Sequence, residues 1–260
     1  MRAAAPRIAG RWAGELQLLL AERAARAAGH GRVTLPVRVA ASRFKDFVSE
    51  PGDVAAVTLR PMPERPYRAT RLGTLFHAWV EERYGIGAGA DELDASADEL
   101  DDLGDDAAGA GGQSIGVPPA AEELARLQST FEASPWASRR PVEVEREIHL
   151  PFDDRIVICK IDAVYRQDVP AGEPERFEIV DWKTGKAPRD ADDLERKQLQ
   201  LALYRLAYAR WAGIPIDRID AAFYFVADDR IIRPDHLDSE EELLARWRAA
   251  FAPEGVRGAS

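Results

Sequence analysis

Residues 155–167, RIVICKIDAVYRQ, are apolar on both faces for most of their length, as the central strand of a sheet must be. Successive side chains of a strand point to opposite faces, so Ile156, Ile158, Lys160, Asp162 and Val164 share one of them. One acid among apolar neighbours needs a reason, because an unpaired charge away from water is costly or gives up its ionisation. The stretch FEIVDWKTGK, residues 177–186, poses the same problem. It reads as a strand running into a glycine turn, with Phe177, Ile179, Asp181 and Lys183 on one face and Glu178, Val180 and Trp182 on the other. Taken alone, an exposed edge strand with an outward Asp/Lys pair satisfies this second pattern equally well.

If the two strands are neighbours, Asp162 stands beside Asp181, and two carboxylates share a cleft with one ammonium. Carboxylates that close repel unless a cation or a proton lies between them. Two oxygen ligands with open coordination positions suit a hard divalent ion such as Mg²⁺ or Mn²⁺, and a neighbouring lysine can orient or deprotonate water.

The flanking periodicities build a mixed α/β chain. Residues 10–28 carry Trp12, Leu16, Leu19 and Leu20 at helical spacing, ending near the Gly29 to Gly31 turn. In LPVRVAASRFKDFVSEP, Ser42 is positioned to cap a short helix bearing Phe44, Phe47 and Val48. The passage RPMPERPYR is irregular because of its prolines. RLGTLFHAWVEERYG places Leu72, Leu75, Phe76, Trp79 and Val80 at helical spacing, with His77 and Glu81 four apart on one flank. AAEELARLQSTFEAS predicts a further helix through Leu124, Leu127 and Phe131. The period then changes to two. PVEVEREIHLPF puts Val142, Val144, Ile148 and Leu150 on one face and Glu143, Glu145, Glu147 and His149 on a wet one. Beyond FEIVDWKTG, a long helix capped by Asp190 or Asp192 closes at Gly213, IDAAFYFVADD and RIIRP are strands, and Ser239 with Glu242 forms a capping box for SEEELLARWRAAF.

Composition bounds what this chain can be. An apolar fraction of 46% over 260 residues supports a proper core. The single cysteine, Cys159, excludes a disulfide framework and any thiolate-held zinc or iron-sulfur cluster within the chain, and fits a reducing cytoplasm. No apolar run is long enough to span a bilayer. The net charge of −10 looks unfriendly to a polyanion, but it is local: residues 86–118 hold nine acids and no Lys or Arg. Rich in Gly, Ala and Asp, that segment is expected to be a disordered insertion.

Four pieces in order resemble the PD-(D/E)XK nuclease superfamily, and within it the RecB-like nuclease domains. They are LGTLFHAWVEE, similar to a helical G-x-x-x-H segment; CKIDAV, similar to a G-x-I-D strand; VDWKTG, similar to D-x-K-T-G; and QLQLALYRLAYA, similar to a Q-x-x-x-x-x-Y helix. RPMPERPYRATRLGTLFHAWVEERYG and AAFYFV resemble most the C-terminal nuclease domain of AdnB-type actinobacterial helicase-nucleases. The resemblance implies a restriction-endonuclease-like mixed sheet flanked by helices, with residues 1–32 as a helical remnant or linker, 33–252 as the nuclease domain and 253–260 as a tail. It implies that His77, Asp162, Asp181 and the main-chain carbonyl of Trp182 hold Mg²⁺ or Mn²⁺, that Lys183 acts on the attacking water, and that Gln198 and Tyr204 lie near the cleft. Gln198, Leu201, Tyr204, Tyr208 and Trp211 are read as one side of their helix. The implied activity is hydrolysis of DNA, most simply exonuclease cleavage of single strands delivered by a helicase during recombination or repair. Cys159 stands at the family's glycine position, and the cysteines of clustered relatives are absent. No Walker A sequence occurs, so any motor lies outside these residues.

Blander readings stand beside these. The same residues fit a catalytically inactive module that binds DNA or docks a motor, or a structure-specific endonuclease. Gln198 and Tyr204 satisfy a core role as well as a cleft role. His149 and His236 are read as solvent-facing, and Glu147 as part of a wet strand face.

Overall fold

The computed structural model describes residues 12–27, 35–59, 68–85 and 120–251. The acidic insertion, the proline-rich passage and the terminal tail lie outside them. Among the described residues no helix is long and apolar enough to cross a membrane.

The segment that is apolar on both faces forms β3, Arg155–Arg166, and the sheet is organised around it. β2, Glu143–Phe152, pairs antiparallel from Glu143↔Val164 to Phe152↔Arg155, interrupted only at Glu145. The opposite edge of β3 is shared. β1, Arg38–Ala40, runs parallel to Ile156–Ile158, while β4, Phe177–Lys183, runs antiparallel from Ala163↔Val180 to Arg166↔Phe177. β5, Ile219–Phe225, then pairs parallel with β4, and β6, Arg230–Ile232, closes the mixed six-stranded sheet. β1 has three residues, too few to show a period in sequence.

Helices cover both faces. α1, Trp12–Ala27, lies within the expected span, its described side chains exposed. α2, Phe44–Ser49, begins at Arg43 without a side-chain cap, so Ser42 is buried rather than capping, and α3, Pro51–Leu59, follows it with a proline at its first position. α4 is Arg68–Arg83 and α5 is Ala120–Ala133. α6, Ala191–Ala212, starts at Asp190, whose carboxylate accepts from the Asp193 N–H. It ends at Gly213, whose φ of 67° is the left-handed conformation that a residue without Cβ adopts at least cost. α7, Glu240–Ala250, carries the expected Ser239/Glu242 capping box.

Two cores result. On one face α2, α6 and α7 bury Phe44, Phe47, Leu203 and Trp247 against Ile148, Leu150, Val157, Ile161 and Ile179, with Phe44 stacked on Trp247 at 5.4 Å. Cys159 belongs to this core, so its side chain points at α6 and away from the sheet's other face. On that other face α4 and α5 pack Phe76 and Phe131 over Trp182, Tyr224 and Val180. Phe131 meets Trp182 edge-on at 5.6 Å and Phe76 at 5.8 Å.

Strand alternation fails at one place in each of two facing strands. Val144 joins the α4/α5 core, whereas Ile148 and Leu150 join the α6 core. Glu145, between them, has a φ of 46°. That left-handed residue turns the strand over, so Val144 and Ile148 do not share a face as a strict period of two requires. β3 switches opposite it: Ile161 and Val164 share the α6 core while Ala163 joins the other, so Val164 does not lie on the face of Lys160. The register is the same on either side of the switch, Val144↔Ala163 and Arg146↔Ile161, with Glu145 and Asp162 between them.

Phe131 is the keystone of the α4/α5 layer, being fully buried against Phe76, Trp79 and Trp182. Phe131→Ala should lower stability by about 3–5 kcal/mol, read as a lower urea midpoint at unchanged m-value.

Candidate active site

The site occupies the gap in the shared edge of β3. β1 is registered only to Ile158 and β4 only from Ala163, so residues 159–162 face a place where neighbouring strands diverge. There the backbone N–H of Trp182 donates not to a β3 carbonyl but to the carboxylate of Asp162, Oδ2, at 2.6 Å. Asp162 and Asp181 are both buried, at 7% and 1% exposure. Lys183 lies beside Asp181, Nζ to Oδ2 3.2 Å.

α4 supplies the imidazole. His77 Nε2 is 3.2 Å from the Trp182 carbonyl, and Nδ1 is 3.0 Å from Oε1 of Glu145 and 3.8 Å from Oδ1 of Asp162. The Phe76–Phe131–Trp182 packing sets the rotation of α4 that aims this ring. His77, Glu145 and Asp162 each offer one donor atom, all within 4.8 Å of one another. Asp181 stands outside that tight group but close enough for its charge to act on Asp162.

Glu145 is the residue that alternation misassigns. Expected on a wet face, its side chain is 7% exposed and lies inside the cleft, with Lys160 Nζ 3.0 Å from Oε2. The neighbouring acid and histidine behave as expected: Glu147 and His149 pair with each other in solvent, and His236 is exposed.

α6 contributes a different glutamine from the one expected. Gln200, not Gln198, is buried and donates to Oδ1 of Asp181 at 3.2 Å and to the Tyr204 hydroxyl at 2.7 Å. Residues four apart share a helix face, whereas residues six apart are turned by roughly 120°. Tyr204 therefore selects Gln200, and Gln198 is off the line that runs through Tyr204.

The charge balance of the cleft is that of a buried acidic cluster. Burial pushes the Asp162 carboxyl well above the usual carboxylate range, and Asp181 and Glu145 push it further, against the pull of His77 and Lys183. Glu145 is also raised by burial, but the His77 hydrogen bond and charge together with Lys160 outweigh that and hold it low. Burial depresses Lys160, and Glu145 more than restores it. Glu81, one turn along α4, is raised by burial and by Glu145. A buried acid of this kind ionises when a cation sits against it. The donors are oxygens plus one imidazole nitrogen, the set that hard or borderline divalent ions take. Two donors sharing one small cation stand roughly 3 Å apart, which fits the 3.2 Å between His77 Nε2 and the Trp182 oxygen. The residues present thus suit a divalent metal ion.

Residues 52–258 match the family model of the PD-(D/E)XK nuclease superfamily, and the chain belongs to that superfamily. Its mixed sheet between helical layers is the restriction-endonuclease-like fold of that class. Among solved structures, the chain is similar to a candidate exonuclease from Eubacterium rectale at 15% identity, with 82% of this chain and 76% of that chain covered and a TM-score of 0.46. It is also similar to the protein SSO0001 at 13% identity, with 91% and 85% covered and a TM-score of 0.36. None of the curated proteins matches the chain.

The placement of the two glutamines is open to direct test. Gln200→Ala removes a hydrogen bond to a buried carboxylate and should lower nuclease turnover about tenfold or more. Gln198→Ala should stay within about twofold of the parent in the same assay.

Proposed function

We propose that this chain is a Mg²⁺- or Mn²⁺-dependent deoxyribonuclease that hydrolyses phosphodiester bonds, acting as an exonuclease on single-stranded DNA. The observation that carries this reading is the convergence, in the β3/β4 gap, of His77, Asp162 and the Trp182 carbonyl, with Asp181 and Lys183 alongside.

His77, Asp162, Asp181 and the Trp182 main-chain oxygen would hold the cation. When bound, the ion neutralises charge on the scissile phosphate and makes water more acidic. Asp181 keeps the Lys183 ammonium at the cleft, where it orients the attacking water and takes up charge developing on a phosphate oxygen. Gln200 holds Asp181 from the other side and is itself held by Tyr204, so the carboxylate does not rotate as substrate arrives. Trp182 presents both main-chain polar groups to the site while its indole stays in the α4/α5 core.

Residues 33–252 would form the nuclease unit, with α1 belonging to a helical join and the acidic segment 86–118 an insertion within the unit. The single-strand preference and the tie to a recombination or repair helicase rest on the likeness of RPMPERPYRATRLGTLFHAWVEERYG and AAFYFV to AdnB-type nuclease domains, and cytoplasmic work fits a lone buried thiol. Membrane attachment has no part in this reading.

Asp181→Ala should reduce Mn²⁺-dependent cleavage of end-labelled single-stranded DNA by at least about 10²–10³-fold while circular dichroism stays that of the parent. A variant that cuts at the parental rate would refute the assignment. Comparing the linear substrate with a closed circle reads exonuclease against endonuclease action.

A further inference from the structure

A neutral imidazole has one N–H and one electron-pair nitrogen, yet the two groups that flank the His77 ring, the Glu145 carboxylate and the Trp182 carbonyl, are both acceptors. An imidazolium would donate to both, but in the neutral ring, the form with an electron pair for a cation, only one of them can receive the proton. We propose that Glu145 is a positioning residue that fixes His77 in the tautomer protonated on Nδ1, so that Nε2 is turned toward the cleft as the electron-pair donor for a divalent cation. This rests on the reading of His77 as a cation ligand.

Three observations carry it. The Glu145 oxygen is the nearer acceptor, 3.0 Å against 3.2 Å, and it is charged. A charge-assisted hydrogen bond is roughly twice as strong as a neutral one, so the ring proton goes to Nδ1. Asp162 does not compete, because its closest oxygen is 3.8 Å from Nδ1 and its other oxygen already accepts from Trp182.

Next, the Glu145 carboxylate is itself anchored. Lys160 from β3 holds Oε2 at 3.0 Å, leaving Oε1 for the histidine. The carboxylate is thus clamped between a strand and a helix, and its bond direction sets the plane of the ring.

Finally, the backbone is bent to deliver this one side chain. Glu145 takes a φ of 46°, a conformation that disfavours residues with a Cβ. Val144↔Ala163 and Arg146↔Ile161 remain in register on either side of it. The ladder gains nothing from the left-handed turn; the result is that Glu145 enters the cleft opposite Asp162. Departures of this kind concentrate where a side chain must be held for function. With Nδ1 protonated, Nε2 and the Trp182 oxygen face each other as two electron-pair donors, an arrangement that a shared cation relieves. Carboxylates behind metal-binding histidines act in this way, and their loss weakens metal affinity about 10–100-fold.

The test uses the whole chain labelled with ¹⁵N-histidine, metal-free, at a pH where imidazole is neutral. The parent should show His77 protonated on Nδ1, and Glu145→Gln should move the proton at least partly to Nε2. Calorimetric titration with Mn²⁺ should show the affinity of Glu145→Gln weakened about 10–100-fold, with part recovered in Glu145→Asp, while both variants melt close to the parent. A parent that binds Mn²⁺ with His77 protonated on Nε2 overturns the proposal, as does a Glu145→Gln protein with unchanged tautomer and an affinity within about twofold of the parent. Should Glu145→Gln fail to fold, the parental tautomer alone decides. A parent that takes up no Mn²⁺ overturns the ligand reading itself, which separates that failure from a failure of positioning.

Discussion

The hydrogen bond from the Trp182 backbone to the Asp162 carboxylate stands where a strand ladder would otherwise continue. β3 offers one edge to two different neighbours, and between the last residue registered with β1 and the first registered with β4 that edge opens. Buried main-chain N–H groups require partners. A carboxylate satisfies this one, which lets β4 pull away from β3 without leaving an orphaned donor. The same substitution buries a negative charge at the point of divergence. The cleft and its electrostatics follow from that exchange.

Around the gap the two helical layers meet across the sheet. α4 brings His77 from one face, and α6 brings Gln200 and Tyr204 from the other. Trp182 links them: its indole is locked under Phe131, its N–H holds Asp162, and its carbonyl faces His77. A shift of the α4/α5 packing would therefore be felt at the site through a residue whose side chain never enters it. This is how a densely packed core keeps donor groups fixed before a ligand arrives.

The arrangement is costly to the fold. Asp162, Asp181, Glu145, Lys160 and Lys183 are partly or fully removed from water, and buried ion pairs seldom repay their desolvation. A non-glycine residue in the left-handed region adds about 1–3 kcal/mol. A chain selected for stability alone would fill this gap with apolar side chains. Sites that bind and react commonly sit at such locally unfavourable places, supported by the packing around them.

What the sequence by itself determined is the set of charges that do not belong in a core. Asp162 in RIVICKIDAVYRQ and Asp181 with Lys183 in FEIVDWKTGK are anomalies against a simple period, and the ends of α6 and α7 are written in Asp190, Gly213, Ser239 and Glu242, because capping is chemistry local to a few residues. His77 was legible only through the company of those acids, since one histidine on an amphipathic helix says little. Tertiary structure decided the rest. Periodicity presumes one backbone conformation along a strand, so it sent Glu145 to solvent and put Val144 beside Ile148; only the turn at a φ of 46° reversed this. Gln198 and Gln200 lie roughly 200° apart around their helix, and which one meets Asp181 depends on how α6 is rotated against the sheet by the residues it buries. Local signals arise from neighbours in the chain, whereas the aim of a side chain is fixed by neighbours in space, and those exist only once the layers have packed.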